Sequence, residues 1–122
     1  MAAVLRALRG ATTLDEDTAG QVNDRVRDLV STMMERNGID HDDLVSILFT
    51  ATNDVTSMFP ATAARSLGLG DVPLICASEL DIAGAVQRCI RVLMHFYTER
   101  TRQALHHVYL EGARGLRDDL PD

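Results

Sequence analysis

The sequence predicts an α+β fold, and three observations predict it. Residues 18–38 carry apolar side chains at helical spacing between a capping threonine and a glycine. A shorter stretch, opened by Phe59-Pro60, has the alanine-rich composition of a second helix. The other apolar stretches are short, rich in β-branched and aromatic residues, and separated by glycine, proline, asparagine and aspartate, as strands are. At 122 residues the chain suits a single domain, 1–122. A chain of this size buries somewhat less than about 70% of its unfolded surface, so a thin core that gains from oligomerisation is expected.

Val4 to Arg9 reads as a strand, and Gly10-Ala11-Thr12-Thr13 as a turn-rich exit from it. Thr18 and Gln21 have the spacing of a capping box, and Asp15, Glu16 and Asp17 stand where the helix dipole favours anions. Val22, Val26, Leu29, Val30 and Met33 form the apolar stripe, and Asn37-Gly38 ends it. The opposite face, with Asp24, Arg25, Arg27, Asp28, Glu35 and Arg36, reads as solvated. Asp40-His41-Asp42-Asp43 lacks the glycine and distal glutamate of a calcium loop and reads as the cap of a short helical turn. Leu44 to Thr50 reads as a buried strand followed by a loop. Pro60 suits the first turn of the second helix, which Gly68 ends, and Arg65 projects from it. Val72 to Ala77 reads as a strand entered through a proline, which suits an edge. Residues 82–94 fit an amphipathic helix, yet Cys89 to Tyr97 also fits a buried strand, and periodicity does not separate the two. His106 to Leu110 reads as a strand whose two histidines point to opposite faces, a poor metal clamp. The tail from about residue 112, with Gly112, Gly115 and Pro121, reads as a loose end.

Composition excludes several classes. A net charge of −6 argues against nucleic acid as a partner. No uninterrupted apolar run approaches the ~20 residues that span a membrane. Arg6 and Arg9 interrupt any signal-peptide core, and the acidic run at 15–17 follows soon after, so a cytoplasmic protein is expected. Cys76 and Cys89 are too few for a disulfide framework and read as reduced thiols. There is no phosphate-cradling glycine loop, no zinc spacing and no nucleophile elbow. No metal site is therefore expected.

What stands out is arginine within apolar stretches. Arg91 sits inside Cys89-Ile90-Arg91-Val92-Leu93-Met94, and Arg9, Arg65 and Arg117 also adjoin apolar residues. A permanent cation in such a run needs an anionic partner. Glu79, Asp81 or Glu111 would serve, as would a ligand. An arginine-rich, nucleophile-poor chain suits chemistry by positioning and electrostatics.

Leu8-Arg9-Gly10-Ala11-Thr12-Thr13, Phe59-Pro60-Ala61, Glu79, Cys89-Ile90-Arg91-Val92, His107-Val108-Tyr109-Leu110 and Leu116-Arg117 occur in that order. Together, from about Val4 to Leu120, they resemble the monofunctional, trimeric chorismate mutases of the AroH class. The resemblance implies a mixed β-sheet packed against one long helix and a shorter one, with three subunits forming a pseudo-α/β-barrel. Cys89 onward would then be a strand, and the pockets would lie between subunits of the homotrimer. It implies rearrangement of chorismate to prephenate, in phenylalanine and tyrosine biosynthesis, with no cofactor. The catalytic set would be Arg91 at the breaking ether bond, Arg9 and Tyr109 at a carboxylate, and Glu79 at the ring hydroxyl. Cys76 would touch that hydroxyl as a pocket contact. Phe59, Ala61, Thr62, Leu74 and Ile75 would shape the wall, with Arg65, Leu116 and Arg117 at the mouth. Some members carry lysine where Thr62 stands and threonine where Ile75 stands, so this chain has one cation fewer near the mouth. Two other classes suit an arginine pocket: a small trimeric imine or enamine deaminase, and a non-catalytic module binding small anions.

Overall fold

The segment that periodicity left open, around Cys89–Thr98, is the middle of the molecule. In the computed structural model, which describes residues 2–116, it is a strand whose burial alternates along its length. Ile90, Val92, Met94 and Phe96 point into the core, while Arg91, Leu93, His95 and Tyr97 point the other way. This is the two-residue period of a pleated strand. Strands β1 (Val4–Thr13), β2 (Leu44–Ala51), β3 (Leu74–Ser78), β4 (Cys89–Thr98) and β5 (Val108–Tyr109) form one mixed sheet of order β3-β2-β4-β1-β5. β4 runs antiparallel to both β1 and β2; β3 pairs parallel with β2, and β5 parallel with β1. Ladder bonds on both sides of β4 outweigh the helical pattern of residues 82–94. Residues 82–85 are exposed loop instead.

Helices α1 (Ala19–Asn37) and α2 (Pro60–Ala64) cover one face of the sheet. The stripe Val22, Val26, Leu29, Val30 and Met33 is fully buried against Leu8, Phe49, Met94 and Phe96. Gly10 lets the helix sit this close. A Cβ there would lie 2.5 Å from Met33 Sδ and 3.2 Å from Leu29 Cδ1. Gly10 to Thr13 continues β1 instead of leaving it as a turn, because these residues pair with Val92 to Cys89 of β4.

The helix ends follow the sequence, with one exchange of partners. Thr18 Oγ1 accepts from the Gln21 amide at 3.2 Å, and Gly38 closes the helix at φ 62°. Gln21 does not complete the box. Its Oε1 accepts from the amides of Asp15 and Glu16 instead, at 2.8 and 3.2 Å. Nor does Asp17 serve the helix: both its oxygens accept from the amides and hydroxyls of Thr56 and Ser57, at 2.7 to 3.1 Å. These four bonds hold its carboxyl down at about 2, the Thr56 hydroxyl contributing most. Arg25 is likewise not part of a solvated face; it reaches the Thr13 carbonyl, Asp15 and Glu111.

Pro60 takes the first position of α2, and Arg65–Leu69 follows as one wider π turn in which Gly68 has φ 88°. His41–Asp43 is the expected short turn, with Asp43 Oδ2 accepting from the Asp40 amide at 2.9 Å. β3 is an edge strand that starts only after Pro73. The C-terminal strand is shorter than His106 to Leu110, because the His106 amide and carbonyl bond the Asn37 side chain rather than a neighbouring strand. Glu111–Ala113 forms a turn in which the Gly112 amide donates to Thr13 Oγ1 at 2.9 Å. Arg117 and the tail beyond it lie outside the described residues.

Candidate active site

Both helices lie on one face of the sheet, and among the described residues no helix lies on the other. That open face carries Leu48, Arg91, Leu93, Arg9 and Tyr109, and Ile75 at the β3 edge is 64% exposed. Strand register assembles the cationic part. Arg91 is opposite Ala11 on β1 and Thr50 on β2, and Ala11 in turn is opposite Tyr109. Arg9, two residues before Ala11, lies on the same side. The result is a pocket of about 270 Å³ lined by Arg9, Leu48, Thr50, Arg91, Leu93 and Tyr109.

Glu79 fixes the cation. It follows β3 directly, and its amide continues the ladder by donating to the Ala51 carbonyl at 3.0 Å. Its carboxylate accepts from Arg91 Nε at 3.0 Å on each oxygen, and from the Thr50 hydroxyl at 2.8 Å on Oε2. The Glu79 side chain is 14% exposed and that of Arg91 41%. Arg91 is thus anchored through Nε alone, and its two terminal nitrogens have no partner among the described residues. Arg9 lines the same pocket, and its Nε is buried without an acceptor among the described residues. Two guanidinium groups at one pocket suit an anion with more than one charged oxygen.

The remaining expected contacts are not in this pocket. Phe59 (71% exposed) and Cys76 line a larger depression of about 530 Å³ with Asn53, Ser57 and Met58. No charged side chain lines it, so volume alone does not identify the anion site. Cys76 is opposite Phe49 and therefore faces the helix side, as Leu74 does, and both pack against the core. Ala61 is buried within α2, and Arg65 Nη2 donates to Thr62 Oγ1 at 2.9 Å on its surface. Leu116 returns toward the cationic pocket, packing with Tyr109 against Ala11, Cys89 and Ala113. One chain therefore presents two separated parts of the expected site.

The thiols show no sign of nucleophilic duty. Cys89 is fully buried, and burial pushes its thiol up to about 11 despite nearby Arg91. Cys76 meets no histidine in the depression it lines. Among the described residues no group of histidine, cysteine and carboxylate side chains is placed to hold a metal ion, and no helix is long and apolar enough to cross a membrane.

Residues 5–120 match the family described as chorismate mutase type I. The chain belongs to that family. It is 42% identical over 118 residues to chorismate mutase AroH of Thermus thermophilus, covering 96% of this chain and 97% of that protein. It is 38% identical over 118 residues to chorismate mutase AroH of Bacillus subtilis (strain 168), covering 96% and 93%. A solved chorismate mutase from Clostridium thermocellum superposes with a TM-score of 0.88 at 42% identity, covering 89% of this chain and 97% of that one. Type I membership favours an intramolecular isomerase over the deaminase and the binding module. Sequence reasoning missed Thr50, whose hydroxyl meets Glu79 only because β3 pairs with β2 at the register that carries Glu79 past Ala51; a threonine in a strand gives no local signal.

Proposed function

We propose that this chorismate mutase rearranges its substrate at the pocket of Arg9, Arg91 and Tyr109, completed by a neighbouring copy in a homotrimer. The observation that carries the reading is Arg91, anchored through Nε by Glu79 with its terminal nitrogens open to the pocket. In the reaction the ether C–O bond of chorismate breaks as a new C–C bond forms within the same molecule. Nothing is added or lost, and no proton must move. Negative charge builds on the ether oxygen in the transition state, where the Arg91 donors stabilise it more than in the ground state. Arg9 and Tyr109 hold a substrate carboxylate. Glu79 accepts from the ring hydroxyl, and together these contacts keep the substrate in its compact conformer.

Two features support a shared site. Arg9, Arg91 and Tyr109 line a different pocket from Phe59 and Cys76, and Ile75 stands exposed on the same open face as the arginines. That face also leaves Leu5 and Tyr97 exposed opposite one another, an apolar surface that packing against further copies would bury. The β3 edge of one subunit, with Ile75, Cys76 and the Phe59 segment, would then wall the arginine pocket of the next. The test is chorismate consumption by ultraviolet absorbance, with the product converted by acid to phenylpyruvate, alongside sedimentation. A trimer that yields phenylpyruvate is expected. A fully active monomer would sink the shared pocket, and a folded trimer that leaves chorismate untouched would sink the reaction.

A further inference from the structure

We propose that Thr50 is a positioning residue of this site, one that keeps the Glu79 carboxylate from drawing on the terminal nitrogens of Arg91. The proposal rests on the placement of Arg91 and Glu79 at the reacting substrate given above.

Strand β2 holds Glu79 at two points. The Ala51 carbonyl takes its amide, and one residue earlier the Thr50 hydroxyl donates to Oε2 at 2.8 Å. Oε2 then carries two donors, Thr50 Oγ1 and Arg91 Nε, while Oε1 carries only Nε, at 3.0 Å. Oε1 is the oxygen with acceptor capacity left for a substrate hydroxyl. A threonine suits the task because its branched Cβ leaves χ1 few options, so the hydroxyl stays aimed. Its strand neighbours, Arg91 on β4 and Ala77 on β3, fix the backbone from both sides.

The alternative geometry shows why such a tether matters. Free carboxylate and guanidinium groups favour a two-pronged pairing with two parallel N–H···O bonds. In this site that pairing would engage a terminal nitrogen of Arg91 as well as Nε. Each terminal nitrogen so engaged is one donor fewer for the substrate. With Oε2 held on the Thr50 hydroxyl, the carboxylate meets Arg91 through Nε only, and both residues keep a free end toward the pocket. The cost of losing the hydroxyl should therefore appear mainly in turnover, since the donors concerned stabilise developing charge.

The experiment uses the intact protein with Thr50→Val, which keeps the shape and branching and removes only the hydroxyl, and Thr50→Ser, which keeps the hydroxyl. For Thr50→Val, kcat should fall about ten-fold, as expected for one hydrogen bond to a charged group, with a smaller change in KM. Thr50→Ser should recover most of the loss. In a Glu79→Gln background, Thr50→Val should cost much less than it does alone, because the tethered carboxylate is gone. Wild-type turnover in Thr50→Val overturns the proposal. So does an equal loss in Thr50→Ser, or full additivity with Glu79→Gln, since either would mark a general disturbance of β2. If the wild-type protein itself does not consume chorismate, the catalytic reading fails and this assignment falls with it.

Discussion

Arg91→Ala tests the placement of the fixed cation at the breaking bond. The mutation deletes the guanidinium whose two terminal nitrogens are open to the pocket while sparing the Thr50 bond to Glu79. Loss of one preorganised donor at a developing oxyanion costs about 10²–10³ in kcat, and Arg91 offers two donors with a permanent charge. A fall of at least about 10³ is expected, which corresponds to about 4 kcal/mol of transition-state stabilisation. Folding should suffer less. The Arg91 side chain is 41% exposed, so solvent screens its attraction for Glu79, but the Glu79 side chain is 14% exposed and keeps only the Thr50 hydroxyl, so a loss of about 1–3 kcal/mol is expected. Arg91→Lys should fall between the two proteins, because one ammonium group cannot serve Glu79 and the ether oxygen at once. The assay is the loss of chorismate absorbance at saturating substrate, with phenylpyruvate quantified after acid treatment. Urea unfolding at matched protein concentration reports stability. A folded Arg91→Ala protein with kcat within ten-fold of wild type would refute the placement of Arg91 at the breaking bond.

Two further predictions concern the frame that holds the pocket. Gly10→Val should destabilise the protein by about 1–3 kcal/mol in urea unfolding, the usual cost of overpacking a full core, because its Cβ would already lie 2.5 Å from Met33 Sδ; an unchanged urea midpoint would mean that α1 can lift from β1 freely. Asp17 is ordinarily protonated near 3.8 but is held at about 2 in the folded chain by Thr56 and Ser57. Its contribution is thus complete above about pH 4, declines as the pH falls toward 2, and is absent below that. Acid unfolding of Asp17→Asn should accordingly show a shallower loss of stability between pH 4 and 2 than the wild type, and identical slopes would show that the bonds to the 56–57 loop carry no folding energy.

Local physics wrote much of this protein legibly. α1 could be read because a helix exposes its period, its cap and its stop within some twenty residues: Thr18 and Gly38 act within a turn of the ends they close. Pro60 and Pro73 likewise act on their own neighbours, opening α2 and delaying β3. Family membership was legible for another reason, since short motifs in fixed order survive even where each one alone means little. Arg91 announced itself as a cation in an apolar run.

Tertiary structure decided what depends on partners far along the chain. Residues 82–94 satisfy helical spacing, but β4 is bonded on both sides by β1 and β2, and those ladders fix its alternation. Gly10 reads as a turn residue until Met33 is found where its side chain would be. Gln21, Asp17 and Arg25 each have a plausible local partner and take a more distant one. Thr50 gains meaning only because register sets it beside Arg91 and the end of β3 brings Glu79 to its hydroxyl. The separation of Phe59 and Cys76 from the arginine pocket was equally invisible in sequence, because order along a chain carries no record of which face of the sheet a residue occupies. The sequence by itself determined the helices and the chemistry available; pairing register across the sheet decided which of those groups meet.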